Sequence, residues 1–169
     1  ITMRNSLRLA AVGAIAAASF ATSAQAATTA SATATAEVLS SLTVVSTADL
    51  RLGQIAANTG GTVTVNADST VASSGALIST GTRGPAAFDV VGSPDAMIIV
   101  SLPTAAVDLT HTDGVTTMSL GGFNTTPNGA FQLDAAGAGS FTVGGTLTVG
   151  NAQLPGFYEG TFSVSVEYQ

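Results

Sequence analysis

From Tyr158 to Tyr168 the chain alternates strictly in polarity. Tyr158, Phe162, Val164, Val166 and Tyr168 share one parity with Gly160 among them, and Glu159, Thr161, Ser163, Ser165 and Glu167 share the other. Side chains of a β-strand point to opposite faces in turn, so this run sets a wholly apolar face against a polar one. A helical period is absent here, and no segment after Ala26 carries one with caps. The same device recurs upstream, where Phe141, Val143, Leu147 and Val149 alternate with Thr142, Thr146 and Thr148. Gly144-Gly145 interrupts that strand and predicts a bulge or the close approach of another backbone. Shorter strands are predicted over residues 62–66, 87–91, 97–102, 107–112 and 115–120, with 42–45 and 50–52 completing the early part. Gly92-Ser93-Pro94-Asp95 reads as a turn, and Asp113-Gly114 as a two-residue hairpin connection. Many short strands punctuated by Gly, Asn, Asp and Pro predict an all-β fold, an antiparallel sandwich or barrel built as one domain over residues 41–169.

The N-terminus reads differently. Arg4 and Arg8 precede an apolar run over residues 9–20, and Ser23-Ala24-Gln25-Ala26 follows with the small-x-small pattern of a leader-peptidase site. The apolar run falls short of the roughly 20 residues that span a bilayer. Residues 1–26 are therefore expected to be a secretory signal peptide, cleaved after Ala26 with Ala24 as the other small residue. The remaining 143 residues carry two arginines against ten acids, a formal charge of −8. Residues 27–40 form an extension in which Ala30, Ala32, Ala34, Ala36 and Val38 share one parity, and Thr29, Ser31, Thr33 and Thr35 the other. Two readings stand side by side: a loose tail after the cleavage site, or an extended strand that inserts into an open sheet edge.

Composition excludes much chemistry. A chain this acidic does not coat phosphates, so no nucleic-acid partner is expected. With no Cys there is no thiol nucleophile, disulfide or thiolate zinc site. The single histidine, His111, stands beside a predicted turn with no triad pattern near it. The acids are scattered, and Asp68, Asp95 and Asp113 sit at predicted turns, where a short side chain bonds its own backbone. No calcium loop and no phosphate-binding loop occurs. Asn124-Thr125-Thr126 matches a glycosylation sequon. The absence of lysine excludes Lys–Asn isopeptide cross-links. No enzyme activity, catalytic residue, metal, cofactor or small-molecule substrate is expected.

The segment Gly156-Phe157-Tyr158-Glu159-Gly160-Thr161-Phe162-Ser163-Val164-Ser165-Val166-Glu167-Tyr168 resembles the final strand of bacterial pilus subunits. Leu42-Thr43-Val44-Val45 through Leu50-Arg51-Leu52-Gly53 looks like their first strand and the turn after it. The chain resembles a family of secreted bacterial proteins of unknown function, similar to spore-coat-protein-U-like and Mat-type fimbrillins of chaperone–usher systems. The resemblance implies an immunoglobulin-like β-sandwich that lacks its last strand and is completed by a donor strand. A periplasmic chaperone would fill the groove first, and the extension of the next subunit would replace it at an outer-membrane usher. Tyr158, Phe162, Val164, Val166 and Tyr168 would border the groove, and Ala30, Ala32, Ala34, Ala36 and Val38 would form the donor strand. Copies joined head to tail give a homopolymer at the cell surface or in an extracellular filament. Two departures accompany the likeness. Leu42 stands where related subunits often carry a cysteine, and the candidate donor is mostly alanine, whose methyl stabilises far less on burial than the roughly 1.5–3 kcal/mol of a Val or Leu side chain. The alternative is a self-complete, monomeric secreted β-sandwich that binds a surface glycan or protein.

Overall fold

The structure is a computed structural model that describes residues 28–57 and 59–169; the expected cleavage-site residues Ala24 and Ala26 lie outside the described residues. The chain divides into two units, Ile1–Ala36 and Glu37–Gln169. Within the first, residues 28–36 form no strand or helix and are exposed. The second is all-β and antiparallel, with thirteen strands among the described residues.

The longest strand, β11 (Ala138–Val149), is the spine. One edge pairs with β6 (Ala86–Val91) along Ala138 to Val143 and then with β3 (Gly61–Val65) along Gly145 to Val149. The other edge pairs with β9 (Thr117–Thr126). Beyond β6 lies β1 (Thr43–Ala48), beyond β3 lies β4 (Val71–Gly75), and beyond β9 lie β8 (Val107–His111) and β12 (Tyr158–Glu159). This eight-stranded sheet curls into a half-barrel. A three-stranded sheet sets β7 (Met97–Ser101) between β10 (Ala130–Gln132) and β13 (Ser165–Tyr168), and β2 (Arg51–Ala56) pairs with β5 (Ile78–Gly84).

The handover on β11 falls at Gly144-Gly145, and both sequence expectations for that pair are met there. The register against β9 shifts between Gly144 and Thr146. A Cβ on Gly144 would run into the Val65 carbonyl oxygen and the main chain of Asn66 and Ala67. Glycine is required because another backbone occupies the side-chain position.

The β1–β6 and β2–β5 ladders are parts of one ribbon. Ala48 pairs with Ala87 and Arg51 with Gly84, so the register carries across the break. Asp49, Leu50 and Pro85 lie in the gap, and proline has no N–H to give the ladder, so the ribbon bends there.

Two hydrophobic clusters fill the interior. Ala86, Val90, Ile98, Val100, Leu133, Phe141 and Val143 form one; Val63, Leu77, Leu109, Leu120, Leu147 and Val149 form the other. Alternation along β11 thus supplies both, Phe141 and Val143 to the first, Leu147 and Val149 to the second.

One hairpin departs from the sequence expectations. The strand expected over residues 115–120 starts at Thr117 and runs on to Thr126. The Asp113 carboxylate accepts hydrogen bonds from the Val115 and Thr116 amides, each at 2.9 Å, and His111 N–H donates to the Thr116 carbonyl at 2.8 Å. The connection is therefore a longer loop than a two-residue turn, and Val115 is left 82% exposed.

Gly144→Ala is expected to lower unfolding free energy by about 1–3 kcal/mol through overpacking. Gly84→Ala, where a Cβ meets nothing within 4 Å, should leave it within about 0.5 kcal/mol. Urea denaturation of the two variants makes the comparison.

Candidate functional site

Two strand edges lie open over one cluster. Among the described residues β1 pairs only with β6, β13 only with β7, and no ladder joins β1 to β13. Leu42 and Val44 from the β1 side pack on the same cluster as Phe162, Val164, Val166 and Tyr168 from the closing segment. The two edges therefore flank a seam.

Tyr168 fastens one end of it. Its hydroxyl donates to the Ser40 carbonyl at 2.7 Å and accepts from the Ser93 amide at 2.7 Å. Gly92 makes the room: a Cβ there would lie 2.6 Å from the Tyr168 hydroxyl and 2.7 Å from Leu42 Cδ2. β13 ends at this point and β1 begins just after it, so the strands run antiparallel across the seam. Farther along, the Phe162 ring sits 5.0 Å from Phe123 and edge-on to Phe88 at 6.4 Å, and Phe88 stacks on Phe141 at 5.1 Å.

The facing read from alternation appears residue by residue: Phe162, Val164, Val166 and Tyr168 are half-buried, and Thr161, Ser163, Ser165 and Glu167 are exposed. Half-burial is the notable part, because inward residues of β11 such as Phe141 and Val143 are 2% and 0% exposed. The closing face has cover on one side only.

The closing segment is not one strand. Tyr158 and Glu159 pair with His111 and Thr110 of β8, Ser165 to Tyr168 pair with β7, and residues 160–164 make no ladder. β7 and β8 are separated by residues 102–106, which include Pro103, so the facing backbone has left the sheet. An open cleft of about 420 Å³ occupies the gap, with Ser101, Leu102, Pro103 and Val107 on one side and Thr161, Phe162, Ser163 and Ser165 on the other. Tyr158 stands apart from the other four predicted groove residues. It packs on the second cluster, its hydroxyl donates to the Leu154 carbonyl at 2.8 Å, and its ring lies 4.9 Å from His111. Of the candidate donor residues, Ala30, Ala32, Ala34 and Ala36 are exposed outside any strand, and Val38 is 95% exposed.

Four other polar groups that the sequence singles out have structural partners. His111, beside the loop, tucks against Tyr158, and its Nδ1 accepts from the Asp113 amide at 3.1 Å. The Thr116 hydroxyl, followed by the Val115 and Thr116 amides, holds the Asp113 carboxyl well below the usual carboxylate range. Asp68 is lowered likewise by the Thr70 hydroxyl and amide. Asn124 of the sequon is half-buried and bridges elements, accepting from the Ala67 amide at 2.7 Å and donating to Asn66 at 3.3 Å. Among the described residues no group of three His, Cys, Asp or Glu is placed to hold a metal ion. No helix of the described residues is long and apolar enough to cross a membrane.

A family described as a domain of unknown function, DUF4402, matches residues 42–168. The chain belongs to that family. The DUF4402 domain begins at Leu42 and ends at Tyr168, so both edges of the seam and all strands between them lie inside it, and the alanine-rich extension lies before it. No curated protein and no solved structure matches the chain.

A charge on the seam face should be costly and its neighbour should not. Val164→Asp is expected to destabilise by about 2–4 kcal/mol, since the carboxylate faces an apolar cluster without a partner. Ser163→Asp, on the exposed face, should change stability by less than about 0.5 kcal/mol. Thermal denaturation of both reads the facing directly.

The lowered Asp113 gives a pH dependence of known sign. A carboxyl depressed in the folded state contributes stability that is complete above its unfolded pKa and is lost as pH falls through the folded one. The Tm difference between the native chain and Asp113→Ala should be full at about pH 6 and shrink progressively below about pH 4.

Proposed function

We propose that the DUF4402 domain is an incomplete immunoglobulin-like sandwich and that the protein is a structural subunit of an extracellular filament. Each subunit takes residues 30–38 of another copy into the seam between β1 and β13. The observation that carries the reading is the pair of unpaired strand edges above one cluster, with Phe162, Val164 and Val166 only half-covered. An edge strand presents a row of unsatisfied N–H and C=O groups. A strand laid between two such edges satisfies both rows and removes the apolar flank from water. Alternation in the extension suits that place, with small Ala30, Ala32, Ala34, Ala36 and larger Val38 inward and β-branched Thr29, Thr33 and Thr35 outward. The contact joins different surfaces of two copies, so it propagates instead of closing. A periplasmic chaperone guarding the seam and an outer-membrane usher are the partners of this reading, and export by the leader places the filament at the cell surface.

A second reading, a monomeric secreted domain that binds a surface glycan, has the open cleft beside residues 160–164 in its favour. There the hydroxyls of Ser101, Thr161, Ser163 and Ser165 surround Leu102, Pro103 and Val107.

Deleting residues 27–38 should leave a folded domain that no longer polymerises, while the chain from Ala27 onward forms filaments visible by electron microscopy. Circular dichroism checks the fold of the truncated form. Two stable monomers, with and without the extension and with no chaperone present, would overturn the filament reading.

A further inference from the structure

The positive charge of the described residues is confined to one end of the seam. Arg51 and Arg83 are their only basic residues besides His111, against ten acids. Both arginines line an open pocket of about 480 Å³ at the ribbon bend, together with Ser46, Ala48, Asp49 and Pro85. Among the described residues the only basic side chain within 4.0 Å of a carboxylate is His111, beside Asp113, so neither arginine has a carboxylate partner. Arg83 Nη1 is held by the Ser79 carbonyl at 3.2 Å and hydroxyl at 3.3 Å, which leaves its other donors available. Asp49 offsets one of the two charges, so the pocket is net positive in a protein that is otherwise strongly negative.

The extension carries one charge, Glu37, between Ala36 and Val38. It shares the parity of Thr33 and Thr35 and so points away from a cluster that Ala36 and Val38 face. Within its own chain Glu37 precedes Ser40, at the Tyr168 end of β1, while the arginine pocket sits at the other end of that strand. The six steps from Leu42 to Ala48 span roughly 20 Å of extended chain. The charges that match therefore lie at opposite ends of one subunit.

Resting on the donor-strand reading, we infer that Glu37 of a second copy docks in the Arg51–Arg83 pocket and thereby fixes the direction and register of the inserted strand. With Glu37 at the bend, the seven steps back to Ala30 cover about 23 Å and reach the Leu42–Tyr168 end of the seam. This direction makes the donor antiparallel to β13 and parallel to β1; the reverse direction only exchanges the two ladders, so the charge pairing is what selects between them. A one-residue slip would turn the alanines outward and Glu37 toward the cluster, and the reverse direction would leave both arginines without the carboxylate.

The test follows assembly of the chain from Ala27 onward by light scattering, with electron microscopy of the product. Glu37→Arg should slow assembly by about tenfold, as should Arg51→Glu combined with Arg83→Glu, and joining the three changes should restore the rate to within about threefold. Salt at about 0.5 M should slow the native chain toward the rate of Glu37→Gln and leave that variant little changed. Asp49→Asn should speed assembly. Circular dichroism melts matching the native chain show that the arginine variants fold. Filaments that form at the native rate from Glu37→Arg overturn the charge pairing and leave the donor-strand reading standing. Assembly that is absent from the native chain, or unchanged when residues 27–38 are deleted, overturns both.

Discussion

Backbone hydrogen bonding on both edges of β11 is the interaction on which the rest depends. This strand meets β6, β3 and β9 through its main chain and feeds both hydrophobic clusters through its side chains. It serves two partners in sequence on one edge because Gly144-Gly145 lets the Val65–Ala67 backbone cross where a side chain would stand. The curl follows from that handover, since β6 and β3 leave the same edge at successive points. With the curl comes the seam: the sheet carries β1 away to one side and β12 to the other, and the closing segment reaches back to β7 without meeting β1.

Much of this was legible where burial imposes a period. Phe162 to Tyr168 announced their inward and outward faces because an apolar cluster lies on one side and water on the other. Gly144-Gly145 announced a crossing because only glycine tolerates one. β4 and β5 gave no such signal. VASSG is exposed throughout and ISTGTRG nearly so, and they are held by ladders to β3 and β2 without facing a core. The interruption at residues 160–164 was illegible for another reason: its cause lies in residues 102–106, on the opposing chain. The place of Tyr158 on the second cluster follows from the same switch of partners. Nothing in local sequence records that two edges fail to meet, because an unpaired edge is a property of the whole sheet.

Low charge acquires a definite role in this setting. A formal charge of −8 over residues 27–169 resists casual association between copies, and the two arginines gather at a single bend of a ribbon, beside Pro85 and a register shift at Gly53. Positive charge is thus confined to one locality, and an acidic segment approaching the domain meets attraction there alone. The hydroxyl-rich outer faces, mostly Thr and Ser, supply strand propensity without adding charge.

The tie between Tyr168 and Ser40 joins residues 128 positions apart in sequence. Chains are synthesised from the N-terminus, so Ser40, Leu42 and Val44 emerge long before the residue that fastens them. Closure of such a distant contact carries a large loop-entropy cost and makes for slow folding. Throughout that interval the β1 flank stays adhesive to any extended segment nearby, its own or a neighbour's. The order of synthesis therefore leaves this domain most vulnerable along the β1 flank until Tyr168 arrives to fasten it.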